Sequence, residues 1–150
     1  MKVFGIVGWS GSGKTTLAVR LVPEFTARGL TVSTIKHARH GFDIDKPGKD
    51  SYEHRHAGAK EVVVCSTRRW ALIHENRGAP EPELDDLIAR MTPVDLLLVE
   101  GFKAFEHDKL EVWRAGRGGD FLHDEDSRII AVASDAPLQD VRLPVLDLDD

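Results

Sequence analysis

Gly8-Trp9-Ser10-Gly11-Ser12-Gly13-Lys14-Thr15 is the stretch that decides the fold. It satisfies every fixed position of the phosphate-binding pattern G-x-x-x-x-G-K-[ST], and a second threonine, Thr16, follows. Glycines let the backbone bend around a phosphate and turn several N–H groups toward it. The N-terminus of a following helix adds the positive end of its dipole. Lys14 then reaches the β- and γ-phosphates, and the Thr15 hydroxyl ligates Mg²⁺. The bland alternative is a glycine-rich turn that binds nothing. The flanks weigh against it. Val3-Phe4-Gly5-Ile6-Val7 reads as a buried strand entering the loop, and residues 14–28 read as a helix leaving it.

Outward from the loop, short apolar strands alternate with helical stretches. That alternation predicts an α/β, P-loop NTPase-like fold: a mostly parallel sheet with helices on both faces, forming a single nucleotide-binding domain over 1–150. The first helix carries Leu17, Ala18, Leu21, Val22 and Phe25 on one side. Pro23 is expected to kink it or force a local adjustment, and Gly29 to cap it. Further strands are expected over 30–35, 61–65, 69–74, 96–99, 109–113, 129–133 and 145–148. The pair 61–65 and 69–74 reads as an antiparallel hairpin that makes the sheet mixed. Short helices are expected over 51–57 and 83–90. Residues 115–120, with three glycines, read as a mobile loop.

The composition, 41% hydrophobic and 30% charged over 150 residues, is that of a soluble globular chain. A formal net charge of −5 argues mildly against a nucleic-acid-coating surface and leaves room for a local basic groove. No apolar run approaches the roughly 20 residues of a membrane span. Met1-Lys2-Val3 runs straight into the first strand, so no leader is expected and a cytoplasmic location is the simplest reading. Cys65 ends the run Val62-Val63-Val64 and is expected to be a buried structural thiol.

Several side chains beyond the loop carry candidate chemistry. Asp95-Leu96-Leu97-Leu98-Val99-Glu100 resembles a Walker B strand, ending in an acid at the sheet edge where ligands collect. Glu100 is read either as binding Mg²⁺ through a water or positioning the attacking water, or as a strand-end acid paired to Lys103 or solvated. Residues 36–50 hold His37, His40, Asp43, Asp45 and Asp50 among lysines. The spacing matches no tight zinc motif. By position after the second strand, Asp45 or Asp50 is expected to reach Mg²⁺ as a second carboxylate. Asp135 has two readings: a carboxylate accepting both donors of a guanine edge, or the acid of an Asp-Ala-Pro turn. Arg114, Arg117 and Arg128 flank the glycine-rich loop; they are read as surface charge more readily than as phosphoryl-stabilising groups.

Taken together these blocks resemble the molybdopterin-guanine dinucleotide biosynthesis protein B family. The resemblance rests on the loop 8–16, the segment 36–51, Ala57-Gly58-Ala59, Leu98-Val99-Glu100-Gly101-Phe102-Lys103, Lys109-Leu110-Glu111-Val112-Trp113-Arg114 and Ile130-Ala131-Val132-Ala133-Ser134-Asp135. It implies a homodimeric, GTP-binding accessory protein with at most weak GTPase activity. Such a protein assists the guanylyltransferase that attaches GMP to molybdopterin. Gly11, Gly13, Lys14, Thr15 and Thr16, with Gly8, Ser10 and Ser12 in the same loop, would hold phosphates and Mg²⁺. Asp45, Asp50 and Glu100 would be the acids around the metal, and Lys36, His37, His40 and Lys103 would face nucleotide, molybdopterin or partner. Lys14 and Glu100 are the residues any GTP hydrolysis would need. A small-molecule kinase built on the same loop is the alternative; it should also carry an acceptor site, a lid and a positioned base.

Overall fold

The strand that feeds the loop, β1 (Lys2–Val7), lies inside a sheet of parallel neighbours, in a computed structural model describing residues 1–38 and 41–149. The sheet also contains β2 (Val32–Lys36), β5 (Leu96–Glu100), β6 (Lys109–Trp113), β7 (Ile129–Ser134) and β8 (Val145–Asp147). Its six strands run in the order β2-β5-β1-β6-β7-β8, every pair parallel. A parallel sheet delivers every strand's C-terminal end to one edge. Hence the segments after β1, β2, β5, β6 and β7 share that edge, with Gly8, His37, Gly101, Arg114 and Asp135 as their first residues.

The two strands of the expected hairpin, β3 (Glu61–Cys65) and β4 (Trp70–His74), do pair antiparallel. They form their own two-stranded sheet, however, and leave the large sheet purely parallel. The chain divides into two compact units. One comprises Met1–Ala38 with Arg90–Asp150 and holds the six-stranded sheet; the other spans Arg39–Ala89. The second contains β3, β4, α2 (Asp50–His56) and α3 (Leu84–Ile88).

Helix α1 (Lys14–Ala27) packs Leu17, Ala18 and Leu21 against the core of Ile6, Leu110, Val112, Ala133 and Leu148. Pro23 sits inside α1 without ending it. The stop comes at Gly29, whose φ of 82° suits a residue without Cβ. Gly29 N–H donates to the Thr26 carbonyl and Leu30 N–H to that of Phe25, the paired bonds of a Schellman cap. Arg20 donates to the carbonyls of Leu148 and Asp149, tying α1 to the chain beyond β8.

Two placements run against residue type, the first also against the expected burial of Cys65. Cys65 is exposed, not buried, because β3 belongs to a small sheet in which Val63 and Val64 are exposed too. Conversely, Lys109 and Glu111 on β6 are 1% and 0% exposed. An interior strand of a parallel sheet is covered on both faces, so its polar alternation cannot reach water. Each buried charge therefore needs partners. Lys109 Nζ donates to Asp126 Oδ2 at 2.6 Å and to the Lys103 carbonyl at 2.9 Å. Glu111 accepts from the backbone N–H groups of Leu122 and His123 and contacts His123 Nδ1 at 2.8 Å. These bonds anchor a short 3-10 turn, Leu122–Asp124, that the sequence reading did not anticipate. Among the described residues no helix is long and apolar enough to cross a membrane.

Candidate functional site

The loop between β1 and α1 adopts the conformation its glycines allow. Gly13 is the N-cap of α1 at φ 101°, a left-handed conformation that leaves the first helical N–H groups pointing outward. Gly8 has φ 148°, and a Cβ there would run into the Val112 carbonyl and the Ser12 hydroxyl. Lys14 arches back over the loop, its ammonium donating to the carbonyls of Gly8 at 3.1 Å and Trp9 at 2.8 Å. Ser12 is 2% exposed, and its hydroxyl makes no hydrogen bond among the described residues.

Beside the loop, the Thr15 hydroxyl donates to Glu100 Oε1 at 2.7 Å. Lys36 completes a triangle, its ammonium 2.7 Å from Thr15 Oγ1 and 3.0 Å from Glu100 Oε1. The β5 acid thus meets the loop hydroxyl, and its ion-pair partner is Lys36. Two oxygens at that spacing suit the edge of a Mg²⁺ octahedron, where ligands 2.0–2.1 Å from the ion stand about 2.9 Å apart. The donor set of hydroxyl and carboxylate is the hard-oxygen kind that Mg²⁺ prefers. Bound there, the ion would neutralise charge on adjoining phosphates.

The next block, Gly101-Phe102-Lys103, leaves β5 through a tight bend. Gly101 has φ 94°, and a Cβ on it would press on the His37 side chain. His37 donates its backbone N–H to the Glu100 carbonyl, and its ring packs 4.9 Å from that of Phe102. Lys103 places its ammonium 4.2 Å from the centre of the Trp9 ring, a cation–π contact. Trp9 in turn donates its indole N–H to the Asp120 carbonyl at 2.8 Å. So Trp9 packs against its own chain, between Lys103 and the glycine-rich segment. A cavity of about 520 Å³ adjoins this block, lined by Val7, Lys103, Phe105, Lys109, Asp126 and Arg128 among others.

On the other side of the loop, Arg114 donates from Nε to the Ser12 carbonyl at 3.0 Å and from Nη1 to Asp135 Oδ2 at 3.2 Å. Asp135 Oδ1 accepts from the Ala115 N–H at 3.0 Å. Both oxygens of this carboxylate therefore hold the start of the glycine-rich segment. Arg117 lays its guanidinium over Gly11. Arg128 matches the surface reading, half exposed and 3.9–4.0 Å from Glu106 and Asp108. Arg114 is a partly exposed ion-pair partner of Asp135 and Arg117 is exposed, as that reading also has it, but both side chains lie against the phosphate loop. The signal that could have found them was their position, one strand-end away from the loop in a parallel sheet.

In the second unit, Asp45 is engaged by Arg55, which also binds Asp43 and Glu75 at 2.6–3.1 Å. Glu75 first, then Asp45, raise the Arg55 pKa still further above its ordinary value, so the guanidinium is a fixed charge. Nothing in the sequence reading singled out Arg55. Asp50 opens α2, an acid at a helix N-terminus. His40 lies outside the described residues. Among the described residues no group of three His, Cys, Asp or Glu side chains gathers as a metal site.

The family described as molybdopterin guanine dinucleotide synthesis protein B matches residues 3–135. A molybdopterin-guanine dinucleotide biosynthesis adapter protein of Escherichia coli is 45% identical over 153 residues, covering 99% of this chain and 86% of the relative. A protein of the same description from Haemophilus influenzae is 41% identical, covering 91% and 76% respectively. The crystal structure of a MobB protein homolog from Bacillus stearothermophilus superposes with a TM-score of 0.73 at 28% identity, over 99% of this chain and 89% of that one.

Proposed function

The chain belongs to the molybdopterin guanine dinucleotide synthesis protein B family, and on that premise we propose that it is a GTP-binding adapter in molybdopterin guanine dinucleotide synthesis, assisting the guanylyltransferase that performs the transfer. The observation that carries this reading is the loop 8–16 with Thr15 and Glu100 facing each other at 2.7 Å beside it. In the proposed complex the Gly8–Thr16 amides and Lys14 hold the phosphates. Lys14 first has to give up its bonds to Gly8 and Trp9. Thr15 and Glu100 would hold Mg²⁺, displacing the Lys36 ammonium toward the phosphates. Asp45 and Asp50 remain proposed acids of that site. Lys36, His37, His40 and Lys103 are proposed to face nucleotide, molybdopterin or partner. Asp135 serves the nucleotide site by holding Arg114 on the loop.

Hydrolysis by the chain alone is proposed to be slow. In the proposed complex Glu100 is taken up by Mg²⁺ beside Thr15 and so is poorly placed to orient an attacking water. A homodimer acting in the cytoplasm completes the proposal. Titration with GTP and ATP in the presence of Mg²⁺ tests the binding, with GTP expected to bind more tightly. Single-turnover hydrolysis, with and without the guanylyltransferase, tests the adapter role. Intrinsic turnover at the 1–100 s⁻¹ of ordinary kinases, or tighter binding of ATP, would count against it.

A further inference from the structure

Among the described residues, Arg117 is the one guanidinium at the phosphate loop whose side chain makes no hydrogen bond or ion pair. Arg114 is held by Asp135 and the Ser12 carbonyl, and Lys36 by Glu100. Among the described residues the Arg117 side chain makes no hydrogen bond or ion pair; only its backbone N–H is engaged, by the Arg114 carbonyl. Yet it is not a freely waving surface group. A Cβ built on Gly11 would fall 2.6 Å from its Nη2 and 2.7 Å from its Cζ, so the guanidinium plane rests on the loop backbone.

The segment that carries Arg117 is fastened at both ends. At its start, Ala115 N–H and Arg114 share the Asp135 carboxylate. At its end, the Asp120 carbonyl accepts from Trp9 of the loop, and the Gly119 carbonyl from Trp113 at 3.4 Å. Between these fastenings Gly118 and Gly119 take φ values of 58° and 102°, which let the chain turn back over the loop. A guanidinium cannot be neutralised by losing its proton, and it presents five donors in a planar fork matched to phosphate oxygens. Placed with Lys14 and Arg114 around a nest of backbone amides, it adds positive charge that the nearby carboxylates Glu100 and Asp135 do not take up. Such a cluster is complete only with a polyanion in it.

We infer that Arg117 is a nucleotide contact donated by the strap 114–120, binding the phosphate chain from the side opposite Lys36 and Glu100. Arg114 and Asp135 are its positioning residues. The inference rests on the reading of 8–16 as a nucleotide site, and the test keeps the two apart. Wild type, Arg117→Ala and Arg117→Lys are titrated with GTP, GDP, inorganic pyrophosphate and guanosine. Because Arg117 is exposed and unbonded, unchanged thermal melting of both variants is expected. Arg117→Ala should weaken GTP, GDP and pyrophosphate by about tenfold or more, the worth of one hydrogen bond to a charged group. Arg117→Lys should recover only part of that, and guanosine binding should not change. Equal affinities of wild type and Arg117→Ala for GTP, GDP and pyrophosphate overturn the inference while leaving the nucleotide site standing. So does a loss that is as large for guanosine. Failure of wild type to bind any phosphate-bearing probe overturns the nucleotide site itself, and the inference with it.

Discussion

Asp126→Asn tests whether the buried charge on β6 holds the site's framework together. Lys109 is 1% exposed, and its ammonium has two acceptors, the Asp126 carboxylate and the Lys103 carbonyl. Removing one partner of a buried ion pair costs about 3–5 kcal/mol, because the remaining charge is stranded. Two features reduce that here. The Asp126 side chain is 28% exposed, and asparagine keeps an oxygen that can accept from Lys109. About 2–3 kcal/mol remains, which in a chain of this length lowers Tm by about 5–10 °C. The assay is thermal and urea unfolding of wild type, Asp126→Asn and the double variant Lys109→Met with Asp126→Asn. The double variant removes the stranded charge with little change of volume, so it should recover most of the loss. A Tm for Asp126→Asn within 1 °C of wild type, or a double variant no better than the single, refutes the reasoning.

The same cluster sets a pH dependence. Burial, then the Lys109 charge, pushes the half-buried His107 below its ordinary value. The unfolded chain therefore takes up a proton before the fold does, and stability should be level above about pH 6.5 and decline on acidification below it. His107→Phe should flatten that part of a stability-versus-pH curve, and an unchanged slope would exclude His107 as its cause. Asp126 is held below the usual carboxylate range by its bonds to Lys109 and Arg128, against the opposing effect of burial. Its contribution is complete above about pH 4 and is lost as pH falls further, a second decline that Asp126→Asn should remove. Glu100→Gln should cost little stability, about 0.5 kcal/mol, since the Lys36 side chain is 55% exposed. It should nonetheless reduce the Mg²⁺-dependent gain in GTP affinity roughly tenfold or more; an undiminished Mg²⁺ effect in a titration removes Glu100 from the metal site. Asp135→Ala should weaken GTP and ATP in parallel, because it acts through Arg114. A loss confined to GTP in the same titration would return the carboxylate to reading guanine.

Legibility followed the range of the interactions involved. The loop, the strands flanking it and the Glu100 strand end could be read because each is specified by neighbours in sequence. Gly13 caps α1 and Gly29 ends it through local backbone geometry, and the expected limits of α1 were right to within a residue. What the sequence concealed depends on which strands lie side by side. Lys-Leu-Glu-Val-Trp over 109–113 has the alternation of a half-exposed strand, but its place between β1 and β7 buries both charges. Cys65 follows three valines, yet among the described residues β3 pairs with β4 alone and leaves the thiol exposed. Arg117 could be told from a surface arginine only once β6 was set beside β1, bringing the strap to Gly11.

The register of the large sheet also fixes an order of events during synthesis. β1 has its ladder partners in β5 and β6, and β2 in β5 alone, so neither can begin to pair before Leu96 is available. The hairpin β3–β4 is the exception, its strands separated by four residues, Ser66 to Arg69. Pairing over such long stretches of chain is slow relative to local structure. The phosphate loop is thus made early and assembled late. Its Thr15–Glu100 contact exists only once β5 lies beside β1, so a ligand gripped by both would meet the paired strands and not the unpaired chain. A nucleotide bound there would favour the paired state of β1 and β5 by mass action.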